Sequence, residues 1–131
     1  MTENLEWLLE DLLRKTQGAR YALVLSRDGL KLCHTSDLAE DQGTHLAAIA
    51  AGVQSLAQAA SVHFGAGRGG VRQSMTEFYG GLLFVVEAGE GAHLAVIADA
   101  DTDIRLIGHN MNELVEQIGE YLTAPPRHPG S

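Results

Sequence analysis

The segment from about residue 41 to 64, DQGTHLAAIAAGVQSLAQAASVHF, constrains the fold more than any other part of the chain. Leu46, Ile49, Ala50, Val53, Leu56, Ala57, Ala60 and Phe64 recur at three- and four-residue spacing, the periodicity of a helix with an apolar stripe. At 1.5 Å of rise per residue such a helix spans roughly 35 Å, long enough to cross a whole small sheet. Its stripe is flanked by Ala47, Ala48, Ala51, Gly52, Ser55, Ala59 and Val62, all small enough to let another helix approach closely. Two readings of that small face stand side by side. It packs inside the molecule under a loop, or it meets the same helix of a second copy. GAGRGG at 65–70 then ends the helix, because glycine is a poor helix former and a good C-terminal stop.

What surrounds this rod reads as sheet. YALVLS and LKLCHT, joined by Arg27-Asp28-Gly29, predict a hairpin, since Asp-Gly readily supplies positive φ. Beyond the glycines, VRQSMTEFY, LLFVVEA and HLAVIAD, separated by Gly80-Gly81 and Gly89-Glu90-Gly91, predict a three-stranded meander. LLFVV and LAVIA are apolar at consecutive positions, as interior strands covered on both faces are. VRQSMTEF is polar at most positions, which suits a strand at the sheet edge or one paired with another subunit.

Two shorter helices complete the pattern. Leu5, Leu8, Leu9, Leu12 and Leu13 form one stripe over residues 3–16, with Thr2 as its candidate cap. Ile104, Ile107, Met111, Leu114, Val115, Ile118 and Leu122 form another, with Asp101 or Thr102 available to cap it. The order α-β-β-α-β-β-β-α predicts an α/β three-layer sandwich: a five-stranded, mostly antiparallel sheet with helices on both faces. Residues 1–123 are expected to form the domain. Residues 124–131 hold all three prolines and are expected to be a flexible tail.

Composition narrows the partners. The formal charge is -8, from 17 acidic and 9 basic residues, and the basic ones are dispersed, which disfavours nucleic-acid or anionic-lipid binding. At 131 residues the chain is long enough for one core and too short for two ordinary domains. The single Cys33 excludes an internal disulfide, the N-terminal MTENLEWLLE is acidic where a secretory signal is basic, and no run approaches about 20 apolar residues. A cytoplasmic location is expected.

The residue patterns that suggest chemistry each meet a physical objection. The glycines at 65–70 follow a helix and precede a strand, whereas a dinucleotide fingerprint follows a strand and opens a helix onto the pyrophosphate. Val71 stands where a Walker loop needs lysine. Of the histidines at 34, 45, 63, 93, 109 and 128, none pairs at the i, i+4 spacing of a zinc helix. Cys33 and His34 are adjacent on a strand and so point to opposite faces, a poor arrangement for a nucleophile and its base. No serine lies in a G-x-S-x-G elbow. Asp99, Asp101 and Asp103 alternate as in a calcium loop, but Leu106 is sixth from Asp101 and Asn110 twelfth from Asp99, where such a loop needs glycine and glutamate. A helix-capping acidic turn fits them better. No catalytic, cofactor-binding or metal site is expected.

Three stretches in this order, ALVLSRDGLKL at 22–32, LAAIAAGVQSLAQAASVHFG at 46–65 and GGLLFVVEAGEGAHLAVIADADTDI at 80–104, make the chain similar to the roadblock/dynein light chain family over about residues 3–122. The resemblance implies a homodimer whose sheets join through their third strands, with the two long helices side by side. It further implies a non-enzymatic signalling adaptor. Bacterial members are typically encoded near Ras-like GTPases, and some regulate them, usually without inserting an arginine finger; a sensor kinase-like membrane protein is a frequent companion. On that footing the dimer interface is expected at Val71, Gln73 and Met75 with Ala48, Ala51, Ser55 and Ala59, and Arg68 and Arg72 are candidate contacts to an acidic partner surface. The alternative is a small-molecule-sensing α/β module, which predicts a pocket between helix and sheet lined by polar groups.

Overall fold

The computed structural model describes residues 2–89 and 91–123. The expected tail at 124–131 and the side chain of the expected cap Thr2 lie outside the described residues. The elements are α1 (Thr2–Lys15), β1 (Ala19–Ser26), β2 (Lys31–His34), α2 (Glu40–Phe64), β3 (Gln73–Phe78), β4 (Gly81–Glu87), β5 (Ala92–Ala98) and α3 (Ile104–Thr123). Their order is the expected one. The five strands form one sheet in the order β2-β1-β5-β4-β3, every neighbouring pair antiparallel.

Strand alternation sends side chains to two separate cores. Val24, Phe84, Val86, Leu94 and Val96 point to the face covered by α1 and α3, where they meet Leu5, Leu9, Leu12, Ile107, Met111 and Ile118. Leu23, Leu25, Leu83, Val85 and Ala95 point to the other face, where Leu46, Ala47 and Ala50 of α2 cover them. Hence β4 and β5, in the middle of the sheet, are apolar on both faces, as their sequences predict. Cys33 and His34 do face opposite ways. Cys33 lies in the α1/α3 core, where burial, reinforced by Glu6 and Glu10, pushes its thiol up to about 11. His34 turns instead toward the start of α2, where its Nε2 lies 3.2 Å from Glu40 and its Nδ1 2.9 Å from the Thr35 carbonyl.

The turns follow local chemistry. Gly29 adopts φ 87 in the β1–β2 hairpin, and a Cβ there would sit 3.2 Å from the Cβ of Ala51, so glycine serves both the turn and the approach of α2. The cap of α3 differs from expectation. Asp103, not Asp101 or Thr102, accepts hydrogen bonds from the backbone N–H groups of Arg105 (3.0 Å) and Leu106 (3.2 Å). It directly precedes the first helical residue, the position from which a carboxylate reaches these N–H groups. Asp99 pairs with Arg20 at 3.4 Å, and Asn110 donates to Thr16 (2.8 Å) and the Lys15 carbonyl (3.3 Å), which ties α3 to the end of α1. The acidic turn is therefore structural.

Candidate functional site

Helix α2 outgrows the surface it covers. Its 25 residues span about 37 Å at the helical rise, whereas five strands at about 4.8 Å spacing are only about 20 Å across. The helix touches all five strands, yet its buried residues are Gly43, Leu46, Ala47, Ala50 and Gln54, all in its first fifteen positions. In the second half Leu56 is 77% exposed and Phe64 87%, with Val62 exposed beside them. The stripe read from sequence is corrected here. Ile49, Leu56, Ala60 and Phe64 do not face the sheet, and Ala47, placed on the flanking small face, is fully buried against it. Periodicity marks apolar surface without saying what covers it, and alanine packs on either side.

Strand β3 ends the sheet. It pairs with β4 along its whole length, from Gln73 opposite Val86 to Phe78 opposite Gly81, and its other side is an open edge. Met75 stands opposite Phe84 on the α1/α3 face, and Ser74 stands opposite Val85 on the α2 face. Ser74 donates its hydroxyl to Gln54 Oε1 at 2.9 Å, anchoring the middle of α2 to the edge strand. Met75, Phe78 and Tyr79 are exposed. The unpaired backbone of an open edge is a template for another strand, and the exposed Met75, Phe78 and Tyr79 on and just after this otherwise polar strand add apolar surface to it.

A cleft of about 560 Å³ lies on the α2 face between the middle of α2 and the ends of β4 and β5. One wall is Ala51, Gln54, Ser55 and Gln58, which share a helix face at i, i+3, i+4 and i+7. His93 and Glu87, cross-strand partners on β5 and β4, stand opposite, and Arg27 closes the hairpin side. Burial lowers the pKa of His93; Glu87 opposes that shift and Arg27 adds to it. Gly70 and Val71, from the α2–β3 connection, line the remaining side.

A family profile described as Roadblock/LC7 domain matches residues 5–98. The chain belongs to the Roadblock/LC7 family. A solved Roadblock/LC7 domain from Streptomyces avermitilis is 38% identical, with a TM-score of 0.86 over 91% of this chain and 98% of that one. MglB, a gliding protein from Thermus thermophilus, is 28% identical, with a TM-score of 0.79 over 91% and 88%. An MglB described in a tetrameric arrangement is 26% identical, with a TM-score of 0.81 over the same shares. No curated protein matches.

Within this roadblock fold the residues expected at an interface separate into three groups. Ala48 and Ala59 are exposed on the outer side of α2. Gln73 and Met75 share the α1/α3 side of β3. Ala51, Ser55 and Val71 line the cleft together. Arg68 and Arg72 are exposed on the α2–β3 connection and form no ion pair among the described residues. Sequence reasoning missed the large exposed residues Ile49, Leu56 and Phe64, having assigned them to the core. It also missed Arg27, Glu87 and His93; a signal for them lay in the polar Gln54, Ser55 and Gln58 on one face of an otherwise alanine-rich helix. Among the described residues no group of three or more His, Cys, Asp or Glu is placed to hold a metal, and no helix is long and apolar enough to cross a membrane.

Proposed function

We propose that this roadblock protein is a non-enzymatic, cytoplasmic homodimer that docks a small Ras-like GTPase in a bacterial signalling complex. The observation that carries the reading is the joint exposure of the α2 overhang and the β3 edge. Ile49, Leu56, Val62 and Phe64 on the helix and Met75, Phe78 and Tyr79 at the edge strand give the α2–β3 side of the molecule a concentration of large apolar side chains in contact with solvent. A two-fold axis beside β3 pairs the edge with its own mate and brings the two overhangs together, which covers strand and helix in one operation. In that arrangement Ala48 and Ala59 let the helices approach, Gln73 and Met75 meet across the strand pair, and Ala51, Ser55 and Val71 lie at the margin beside the cleft.

The family likeness supports the GTPase as partner, and the relative described in a tetrameric arrangement supports assembly beyond one chain. The exposed Arg68 and Arg72 are the proposed contacts to an acidic patch on the partner. The sensor kinase-like companion stands on no feature of this chain and is left outside the proposal. Light scattering across a concentration series is the first test, with a dimer mass expected. Mixing the protein with the Ras-like GTPase encoded beside it, loaded with GDP or with a GTP analogue, is the second. A monomer at high concentration, or no complex in either nucleotide state, overturns the reading.

A further inference from the structure

The cleft beside α2 has a composition that core packing does not explain. A helix face turned toward a sheet is ordinarily apolar, yet Ala51, Gln54, Ser55 and Gln58 look across open space at His93 and Glu87. One polar atom there is unsatisfied. The Nδ1 of His93 is buried and without a hydrogen-bond partner among the described residues. Gln54, only 6% exposed, gives its Oε1 to Ser74. Buried polar atoms in a native fold are nearly always bonded, so such an atom at an open cleft points to something that enters and meets it.

The charges say what kind of molecule that is. Arg27 and Glu87 both line the cleft, and both lie close enough to His93 to act on its charge, from opposite directions. A simple anion attracted by Arg27 would meet the Glu87 carboxylate, and a simple cation attracted by Glu87 would meet the Arg27 guanidinium. A molecule with a negative end and a positive end satisfies both. The side-chain amides of Gln54 and Gln58 suit peptide groups between those ends, since each offers a donor and an acceptor. The volume of about 560 Å³ falls within the range of small-ligand sites and holds two or three residues of peptide.

We propose that this cleft binds a zwitterionic di- or tripeptide, its carboxylate held by Arg27, its ammonium by Glu87, and its amide groups by Gln54 and Gln58. The site adjoins the proposed dimer, sharing Ala51, Ser55 and Val71 with its margin, but the groups that would hold the peptide, Arg27, Gln54, Gln58 and Glu87, are not among the interface residues.

The probe is triglycine, titrated into the uniformly nitrogen-15-labelled full chain and followed by amide chemical shifts. Triglycinamide, which lacks the carboxylate, and N-acetyl-triglycine, which lacks the ammonium, are titrated alongside. Triglycine at millimolar concentration is expected to move the amide signals of Gly70, Gly89, Gly91 and His93. Each blocked peptide is expected to bind about tenfold or more weakly, the size of one lost charge-assisted hydrogen bond. Arg27→Gln should erase the preference over triglycinamide alone, and Glu87→Gln the preference over N-acetyl-triglycine alone. Both side chains are exposed, so both variants are expected to fold. The proposal is overturned by an absence of shifts, by shifts away from the cleft, or by shifts that both variants leave unchanged.

Discussion

One sheet carries two differently finished faces. Among the described residues, the α1/α3 side, whose two helices are tied together through Asn110 and Thr16, has a core of eighteen buried residues counting those of the helices; the α2 side, under a single helix, has nine. The alternation of side chains along β1, β4 and β5 serves both faces equally, so the difference lies in the covering helices. Along α2 the ordinary distribution of sizes is blurred. Beside Leu46 the small residues Ala47 and Ala50 touch the sheet, and three large ones, Ile49, Leu56 and Phe64, touch solvent. A domain selected only to fold alone buries its large apolar side chains first. The closed face accounts for the fold, and the open one is the face that the proposed dimer would cover.

The largest effect that tests this contrast comes from the closed face. Phe84 is the largest fully buried side chain, central among residues from α1, α3 and β5. Phe84→Ala should cost about 3–5 kcal/mol of unfolding free energy, through lost transfer and an unfilled cavity. Leu56→Ala, measured by denaturant melts at concentrations where the protein is monomeric, should stay within about 0.5 kcal/mol of the parent. Equal losses in the two variants would break the comparison, because Leu56 would then be serving the monomer's own core.

Association reverses that ranking. A charge at Leu56 or Met75 faces water in the monomer and a second subunit in the proposed dimer, so Leu56→Glu and Met75→Glu should each weaken dimerisation by about thirtyfold or more, the scale of an interface hot spot. Sedimentation against concentration reads this directly. Phe84→Leu, a milder change in the closed core, should leave the dimer constant nearly unmoved. If it weakens the dimer as much as the Leu56 variant does, the two faces are not separable.

The sequence made the architecture legible and left the open face half hidden. Asp28-Gly29, the glycines at 80–81 and the unbroken apolar runs of β4 and β5 each follow from backbone conformation or two-sided burial, so the strands and their order could be read locally. The polar pattern of Gln73–Phe78 placed β3 at the edge for the same reason. The facing of α2 could not be read that way. A helix with alanine on nearly every side gives no sharp stripe, and its larger residues drew the expected core toward Ile49 and Leu56, whereas the sheet takes Ala47 and Gln54 beside the expected Leu46 and Ala50. The cleft depends on Arg27, Gln54, Glu87 and His93, which are far apart in the chain and meet only through strand pairing and the diagonal path of α2. The cap of α3 was expected just too early, at Asp101 or Thr102, although Asp103 immediately precedes the first apolar residue of the helix.

A smaller effect measures how firmly the open face is anchored. The hydroxyl of Ser74 donates to Gln54 across the gap between β3 and α2. Ser74→Ala should lower stability by about 1 kcal/mol and leave the amide oxygen of the buried Gln54 short of a donor. Hydrogen exchange should quicken in the second half of α2 and in β3, and stay unchanged in α1 and α3. Exchange that quickens evenly across the molecule would mean that the two faces open together.

The finest distinction between the faces is their response to mild acid, where His93 is the group to follow on the α2 side; Glu40, whose carboxyl is held low by Lys31 and His34, takes up its proton further down the scale. Burial makes the imidazolium of His93 less favourable in the folded chain, Glu87 offsets part of that, and Arg27 adds to it. The folded state therefore takes up this proton at lower pH than the unfolded state, whose histidine titrates near about 6.5. Above that pH both forms are neutral and the stability is complete; as pH falls below it, the unfolded chain gains protons first and stability declines until the folded value is passed. Melting temperatures from neutral to about pH 5 should show this decline in the parent, and His93→Asn should remove that part of it. The effect is the smallest of the series because the ring is only partly buried and water screens it. Glu87→Gln gives the sign an independent check: removing the one group that favours the imidazolium should steepen the loss in acid, and a shallower profile would place the cause outside the cleft.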